Sequence, residues 1–462
     1  MMRQTPPRAV EIVHLGLGAF FRAHGAIYIE DAAPTGWGIL GVSLQSPAMH
    51  DRLAPQGGAY TALEIGPDGE TARRVEVVQR VLVARHDPMA VLTAMAGPAV
   101  KIVTLTVTEK GYCHDPATGR LNPLHPDILH DLGADLPLSA PGYLVRALSL
   151  RRAAGTAPFT VLSCDNLPGN GRLVRRVVLD LAARIDPALA DWIADTARFP
   201  SCMVDRIVPA TNEGDIARVT ALTGFHDAAP VVHEPFRQWV IEDDFVGSTR
   251  PDLARAGVQM VRDVTPFEEM KLRMLNGTHS ALAYVGYLAG FETVADAATT
   301  PVMAAYLRHL WRHEIIPTLT APPGVDLHAY ADALFARYAN PSIRHRTWQI
   351  AMDGSQKLPQ RLLGTIAANI NARRPCPGLM LAVAAWMIYA SGTGLDGAAI
   401  DVRDPMASQL RACATTSDPV AAVLGLGAVF PEALAVRIAP GVQAAYAALK
   451  SKGALGAVRG MA

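Results

Sequence analysis

Cysteine is scarce and unpatterned in this 462-residue chain. The five, Cys113, Cys164, Cys202, Cys376 and Cys413, are scattered and form no Cys-x-x-Cys. That argues against a disulfide framework or a structural zinc site and favours a reducing cytoplasm. Neither sign of charge is in excess, with 42 Lys+Arg against 42 Asp+Glu. No nucleic acid or charged membrane surface is therefore expected as a partner. Long apolar runs are missing too. The longest, "LMLAVAAWMIYA" (Leu379–Ala390), falls short of the about 20 residues that span a bilayer and reads as a core helix. The opening "MMRQTPPRAVEIVHLG" has no long apolar segment ending in small residues, so no signal peptide is expected. No low-complexity linker and no internal repeat interrupts the chain.

What is present suits a globular core: 50% of residues are apolar and 18% charged. At roughly 100–200 residues per domain, two large domains are the natural division. In the first part, "VEIVHLG", "WGILGVSL", "KIVTLTV" and "FTVLSC" are short strand-like runs. Helix-like segments such as "PGYLVRALSLRRAAG" and "GRLVRRVVLDLAARI" lie between them. Strands alternating with helices predict an α/β fold with a doubly wound parallel sheet. After about Thr265 the pattern turns helical, in "EEMKLRMLNGTHSALAYVGYLAG", "TPVMAAYLRHLWRHEII", "HAYADALFARYA" and "LMLAVAAWMIYASG". The expected domains are therefore 1–264, dinucleotide-binding, and 265–462, mostly helical and carrying substrate chemistry.

Three stretches could carry that chemistry. In "VEIVHLGLGAFFRAH" a strand runs into Gly16-x-Gly18, resembling the dinucleotide fingerprint G-x-G-x-x-G with Phe21 in place of the last glycine. Gly16 would make the tight turn and Gly18 would let a diphosphate approach the backbone. The second strand ends in Gln45, Ser46 and Pro47, without the acidic residue that grips a ribose, so NAD and NADP cannot be told apart by that rule. In "LSCDNLPGNG" (Leu162–Gly171), Asp165 and Asn166 directly follow a strand. Asn166 could donate to a substrate oxygen, or the stretch could be a helix-entry turn with an Asx cap.

The third stretch is Glu268–Tyr287. Thr265 reads as its N-cap, with Pro266 in the first helical position and Glu268 completing a capping box. At about 100° per residue, Glu268 falls near ~60° from Lys271, His279 near ~80° and Asn276 near ~140°. All four then share one arc of an otherwise apolar helix. A buried lysine loses affinity for its proton and can act as a general base. Asn276 can donate to a developing oxyanion and His279 can hold a hydroxyl. Elsewhere, "HLWRHE" (His309–Glu314) reads as a surface helix rather than a metal site.

Together "IVHLGLGAFFRAH", "TLTVTEKGY", "SCDNLPGNG", "MVDRIVPA", "EPFRQWVIEDDF" and "KLRMLNGTHSALAYVGYL" resemble the mannitol dehydrogenase family of metal-independent polyol and sugar-acid dehydrogenases, from about Ile12 to Arg361. The resemblance implies a Rossmann-type N-terminal domain, a mostly α-helical C-terminal domain and an active site in the cleft between them. It implies NAD as cofactor, with NADP left open, held around Gly16, Gly18, Ala19, Phe20, Phe21, Arg22, Thr108 and Asn166. It implies Lys271 as general base, Asn166 and Asn276 steadying the reacting oxygen, His279 orienting the substrate and Glu268 passing the proton to solvent. Asp205 matches a position near the substrate.

Within that family, "NPSIRHRTWQIAMDGSQKLPQRLL" (Asn340–Leu363) is similar to fructuronate reductases, also called mannonate oxidoreductases. Mannitol dehydrogenases carry an arginine where this chain has Gln349. A sugar acid brings a carboxylate, and Arg344, Arg346, Lys357 and Arg361 are the available cations. Lys357 stands first among them because it matches a family substrate-site lysine, with Gln349 and Arg346 beside it. The expected partner is a small sugar acid or polyol, the expected metal none, and the expected assembly a monomer or small homo-oligomer.

Overall fold

The four strand-like runs of the first part, joined by a fifth strand "VQRVLV" that was not expected, become one parallel sheet. They are β1 (Val10–Leu15), β2 (Gly38–Ser43), β3 (Val78–Val83), β4 (Ile102–Leu105) and β5 (Thr160–Ser163), in the order β3-β2-β1-β4-β5. Every neighbouring pair is parallel; Val13 stands beside Leu40 on one side and Val103 on the other. Successive residues of a strand point to opposite faces, and the core divides accordingly. Val13, Leu15, Leu40, Val42, Val103 and Leu105 enter one apolar cluster. Ile12, Ile39, Ile102 and Leu162 enter the other. Helices Pro88–Ala96, Ala140–Ala153 and Asn170–Ile185 cover the first face and Gly25–Ala32 the second. Burial on both faces is why the four expected strands read as apolar runs.

The computed structural model describes residues 1–116, 118–342 and 344–460. The chain divides into two compact units, Met1–Thr265 and Pro266–Ala462. Beyond its main sheet the first unit carries two three-stranded sheets and a two-stranded ribbon. One sheet joins Cys202–Asp205, Gln238–Glu242 and Gln259–Val261; the other joins Val231–His233, Tyr60–Gly66 and Gly69–Val75. Gly69–Val75 escapes a search for buried runs because it is largely exposed and polar, whereas Cys202–Asp205 and Val231–His233 are buried but only three or four residues long.

The second unit is helical, with no strand among its described residues. Pro377–Ala390, buried on nearly every side, packs against Thr278–Leu288 and Glu432–Arg459. A helix enclosed all round has no polar face to present, hence its uniformly apolar sequence. No described helix is long and apolar enough to cross a membrane. Three stretches are wound as π-helix: Lys271–Gly277, Leu310–Ile315 and Pro359–Leu363. The first packs against both of the others.

Candidate active site

In the first unit, the chain leaves β1 through Gly16, which adopts φ 92°. A Cβ on Gly16 would lie 2.2 Å from Thr106 O, so the turn admits only glycine. The Gly16 carbonyl accepts from the Thr106 hydroxyl at 2.7 Å and from the Gly18 amide at 2.7 Å, with His14 Nε2 at 3.1 Å. Above Gly18 there is open space, since a Cβ there would find its nearest atom, Gly16 O, at 3.8 Å. Ala19–Ala23 then forms a short helix. Phe21 is buried and stacks on His14, while Phe20 stacks on His24. Arg22 departs from expectation. Its guanidinium is buried, donates to Ala229 O and lies over the Tyr60 ring, so only its backbone faces the glycine turn.

The sequence reading missed His14. Its Nδ1 pairs with Thr104 Oγ1 at 2.8 Å, and burial lowers its pKa to about 3. Burial, aided by Arg206, also lowers His233 to about 3. Both are neutral when folded and take a proton on unfolding below about pH 6.5. Their contribution is therefore complete above about pH 6.5 and is lost as pH falls towards 3, at about 1.4 kcal/mol per pH unit for each histidine. Urea unfolding at a series of pH values is expected to show a steep loss of stability between about pH 6 and 4. A flat profile there would contradict buried, neutral imidazoles.

Beside this turn, the exits of β4 and β5 are tied together. Thr108, exposed, holds a left-handed φ of 63°, a conformation costly for a β-branched residue. The Asp165 carboxylate accepts from the Val107 and Thr108 amides, each at 2.9 Å, and from the Tyr112 hydroxyl at 2.7 Å. Burial raises the pKa of Asp165, and those three donors oppose the rise. Asn166, the next residue, is exposed. Neither it nor Asp165 caps the following helix, which Gly169 enters in the left-handed conformation without a side-chain cap. Asp205 is buried at the end of Cys202–Asp205, in register with Gln238. Gln45 and Ser46, beyond β2, are exposed. Cys113, His125 and Asp127 also cluster, but His125 Nδ1 is occupied in capping the helix Pro126–Gly133.

In the second unit, the helix carrying Lys271 starts at Thr265, whose amide donates to Asp263 Oδ1 at 2.9 Å. The uniform arc derived for an α-helix does not hold beyond Met270. From Lys271 to Gly277 the winding is π, so a turn closes on i+5 rather than i+4. Asn276 therefore stands one turn above Lys271 instead of well round the helix. Widening a helix frees carbonyls, which must find other donors. Met274 O accepts from Trp311 Nε1 at 3.0 Å and from the Thr278 hydroxyl, and Leu275 O accepts from the Tyr338 hydroxyl at 2.7 Å. Lys271 is buried, while Glu268, Asn276 and His279 are half-buried.

His279 stacks on Tyr338 with ring centroids 5.3 Å apart and meets His345 edge-on at 4.9 Å. Burial, then His345, Arg361, Arg337 and Lys357, hold its pKa well below the usual imidazole value. Lys357 Nζ donates to Met352 O at 2.6 Å and Ile350 O at 3.4 Å; burial and Arg361 bring its pKa down to about 8. Arg361, one turn on, donates to Ser280 Oγ at 3.1 Å. The structure thus brings Lys357, Arg361, His279 and His345 together.

It does not bring Arg346 there. That side chain is 59% exposed, ion-paired with Glu292 at 3.6 Å, and lines a separate cavity of about 760 Å³ with Tyr287, Phe291 and Trp348. Its neighbour in sequence, His345, takes the inner position. Gln349 is exposed on Thr347–Ala351. The "HLWRHE" stretch is less superficial than expected: Trp311 and Glu314 are buried, and Glu314 accepts from His309, Gly378 N and Leu379 N.

Comparison with known proteins gives matching results for both units. The mannitol dehydrogenase Rossmann domain profile matches residues 10–255 and the mannitol dehydrogenase C-terminal domain profile residues 263–449. The D-mannonate oxidoreductase of Escherichia coli is 46% identical, over 96% of this chain and 94% of that protein. A mannitol 2-dehydrogenase of Phaeosphaeria nodorum is 41% identical, over 88% of this chain and 73% of its own. Among solved structures, the Pseudomonas fluorescens mannitol 2-dehydrogenase in ternary complex with NAD and D-mannitol superposes with a TM-score of 0.89 and 36% identity, covering 98% of this chain and 94% of that one.

Proposed function

The chain belongs to the mannitol dehydrogenase family and is an oxidoreductase acting on CH–OH groups, and on that premise we propose that it interconverts D-fructuronate and D-mannonate with NAD. The observation that carries the sugar-acid reading is the half-buried pair Lys357 and Arg361. They lie one turn apart, and among the described residues neither makes an ion pair, although Asp353 and Asp404 are near enough to Lys357 to act on its charge. Two partly enclosed cations without a directly paired carboxylate suit a substrate that brings its own. The relation to the E. coli D-mannonate oxidoreductase supports the same choice.

The first unit serves the nucleotide. The strained glycine turn, the open space over Gly18 and the position at the carboxyl ends of β1 and β4, where the strand order reverses, fit a dinucleotide diphosphate. Bound there, NAD supplies the hydride acceptor for oxidation and the hydride donor for reduction. Ala19, Phe20 and Phe21 offer backbone amides of a helix start, whereas the Arg22 amide is spent on Gly18 O at 3.3 Å; Thr108 and Asn166 border the same edge.

The second unit serves the proton. Lys271, uncharged, takes the hydroxyl proton of the secondary alcohol and, as ammonium, returns it in reduction. Asn276, one turn above, donates to the oxygen as negative charge builds on it, and Asn166 is the corresponding amide carried by the first unit. His279 holds a neighbouring hydroxyl, and Glu268, half-buried on the preceding turn, takes the proton onward to solvent. Asp205 and Gln349 stand as hydroxyl contacts. Five unpaired cysteines agree with a cytoplasmic setting.

The decisive assay measures kcat/KM for D-mannonate against D-mannitol and D-arabinitol, each with NAD and NADP. D-mannonate with NAD is expected to lead by about 10- to 150-fold, since one charge-assisted contact is worth about 1.5–3 kcal/mol. A preference for D-mannitol would replace this reading with that of a neutral-polyol dehydrogenase.

A further inference from the structure

Two buried imidazole nitrogens in the second unit have no hydrogen-bond partner: His279 Nε2 and His345 Nδ1. Buried polar atoms are almost always satisfied, so an orphan at a site signals a missing partner. Both rings are held in place. His279 lies on Tyr338, whose hydroxyl is tied to the π-wound segment through Leu275 O. The backbone around His345 is pinned: its carbonyl accepts from the Val294 amide at 2.9 Å, and the next two residues bridge to Thr293 and bond to Glu292 O.

The surroundings define the missing partner. Burial and Lys357 hold the His345 pKa down to about 4, so its imidazole is neutral at pH 7 and carries a single N–H. Lys357 uses two donors on carbonyls, leaving a third, and Arg361 spends Nη1 on Ser280. The nearby acid Asp404 is already engaged by Ser355 N, Ser355 Oγ and Met406 N at 2.6–2.8 Å. Asp353 also acts on Lys357 as a nearby charge, yet neither acid pairs with Lys357 or Arg361, so the remaining donors converge without a bonded carboxylate. A carboxylate, which only accepts and carries charge, answers all of them, whereas a hydroxyl answers one and neutralises nothing.

We propose that His345, backed by Lys357 and Arg361, forms the subsite for the substrate's carboxylate, donating from Nδ1 to one of its oxygens and so selecting sugar acids over neutral polyols. This rests on the sugar-acid reading above.

The test compares wild type, His345→Leu, His345→Asn and His345→Gln on D-mannonate and D-mannitol at saturating NAD, with thermal melting recorded for each. His345→Leu is expected to raise KM for D-mannonate about 30-fold or more, with kcat and the D-mannitol parameters within about threefold. His345→Asn, whose amide nitrogen falls near Nδ1, restores most of the loss; His345→Gln, whose amide falls near Nε2, does not. Unchanged KM for D-mannonate in His345→Leu overturns the proposal, as does an equal loss on both substrates in all three variants, which marks a packing role. A wild type that oxidises D-mannitol but not D-mannonate overturns the sugar-acid reading and this inference with it. That result appears before any substitution is made, so the two failures are distinguishable.

Discussion

Lys271→Ala is expected to lower kcat by about three orders of magnitude while leaving the Kd for NADH within about threefold. A positioned general base contributes roughly 10²–10⁴ in rate, and in the proposed roles Glu268 only passes the proton onward from Lys271. Asn276 has no basic atom. His279 is neutral, and its ring is already packed between Tyr338 and His345. In the proposed reading nucleotide affinity belongs to the glycine turn at Gly16–Gly18, and Lys271 has no part in it. Two readouts separate loss of a base from loss of packing. Added methylamine should recover part of the rate in Lys271→Ala, and the recovery should grow with the free-amine fraction as pH rises. Turnover near the wild-type value would remove Lys271 from the chemistry.

Gly277→Ala is expected to lower kcat/KM by about 100-fold with only a small change in melting temperature. Glycine to alanine inside a helix ordinarily stabilises by about 1 kcal/mol. Here the added Cβ would stand 2.8 Å from Arg361 O, a backbone carbonyl that cannot rotate away. Overpacking of this kind costs about 1–3 kcal/mol, so the two terms nearly cancel in stability. They do not cancel in geometry. The helix bearing Asn276 and His279 must shift against the one bearing Lys357 and Arg361, and a displacement of about 1 Å can cost roughly 10²-fold in rate. Gly364→Ala is the control, because a Cβ there meets nothing within 4 Å. It should stabilise slightly and leave activity intact. Equal kinetics in both variants would show that the crossing at Gly277 tolerates a methyl group.

Four strands of the parallel sheet were legible because both faces are covered, which forces apolar runs such as "IVTL". Its edge strand Val78–Val83 was not, since Gln79 and Arg80 interrupt the run, nor was Gly69–Val75, which is largely exposed. The glycine turn could be read from Gly16-x-Gly18, yet its supports could not: His14 and Thr106 act on Gly16 O from adjacent strands, a relation created by the fold. The polar residues of the catalytic helix were visible, whereas its π winding was not, since the freed carbonyls are satisfied by Trp311 and Tyr338 from distant segments. His345 was hidden by its neighbours. Arg344 and Arg346 drew attention as cations, and both turn out to pair with Glu292 in the open.

The wide turn at Lys271–Gly277 also bears on how insertions and deletions act in this chain. A π-turn holds one more residue than an α-turn over nearly the same span. Removing one residue between Lys271 and Asn276 would let the helix close in α form while leaving the buried face of Thr278–Leu288 seated against Pro377–Ala390. The core would scarcely register the loss, but lysine and asparagine would become i, i+4 neighbours and Trp311 would lose its acceptor. The gap between Lys271 and Asn276 is thus a length constraint of functional origin, set by alignment of the two side chains rather than by the stability of the helix that bears them.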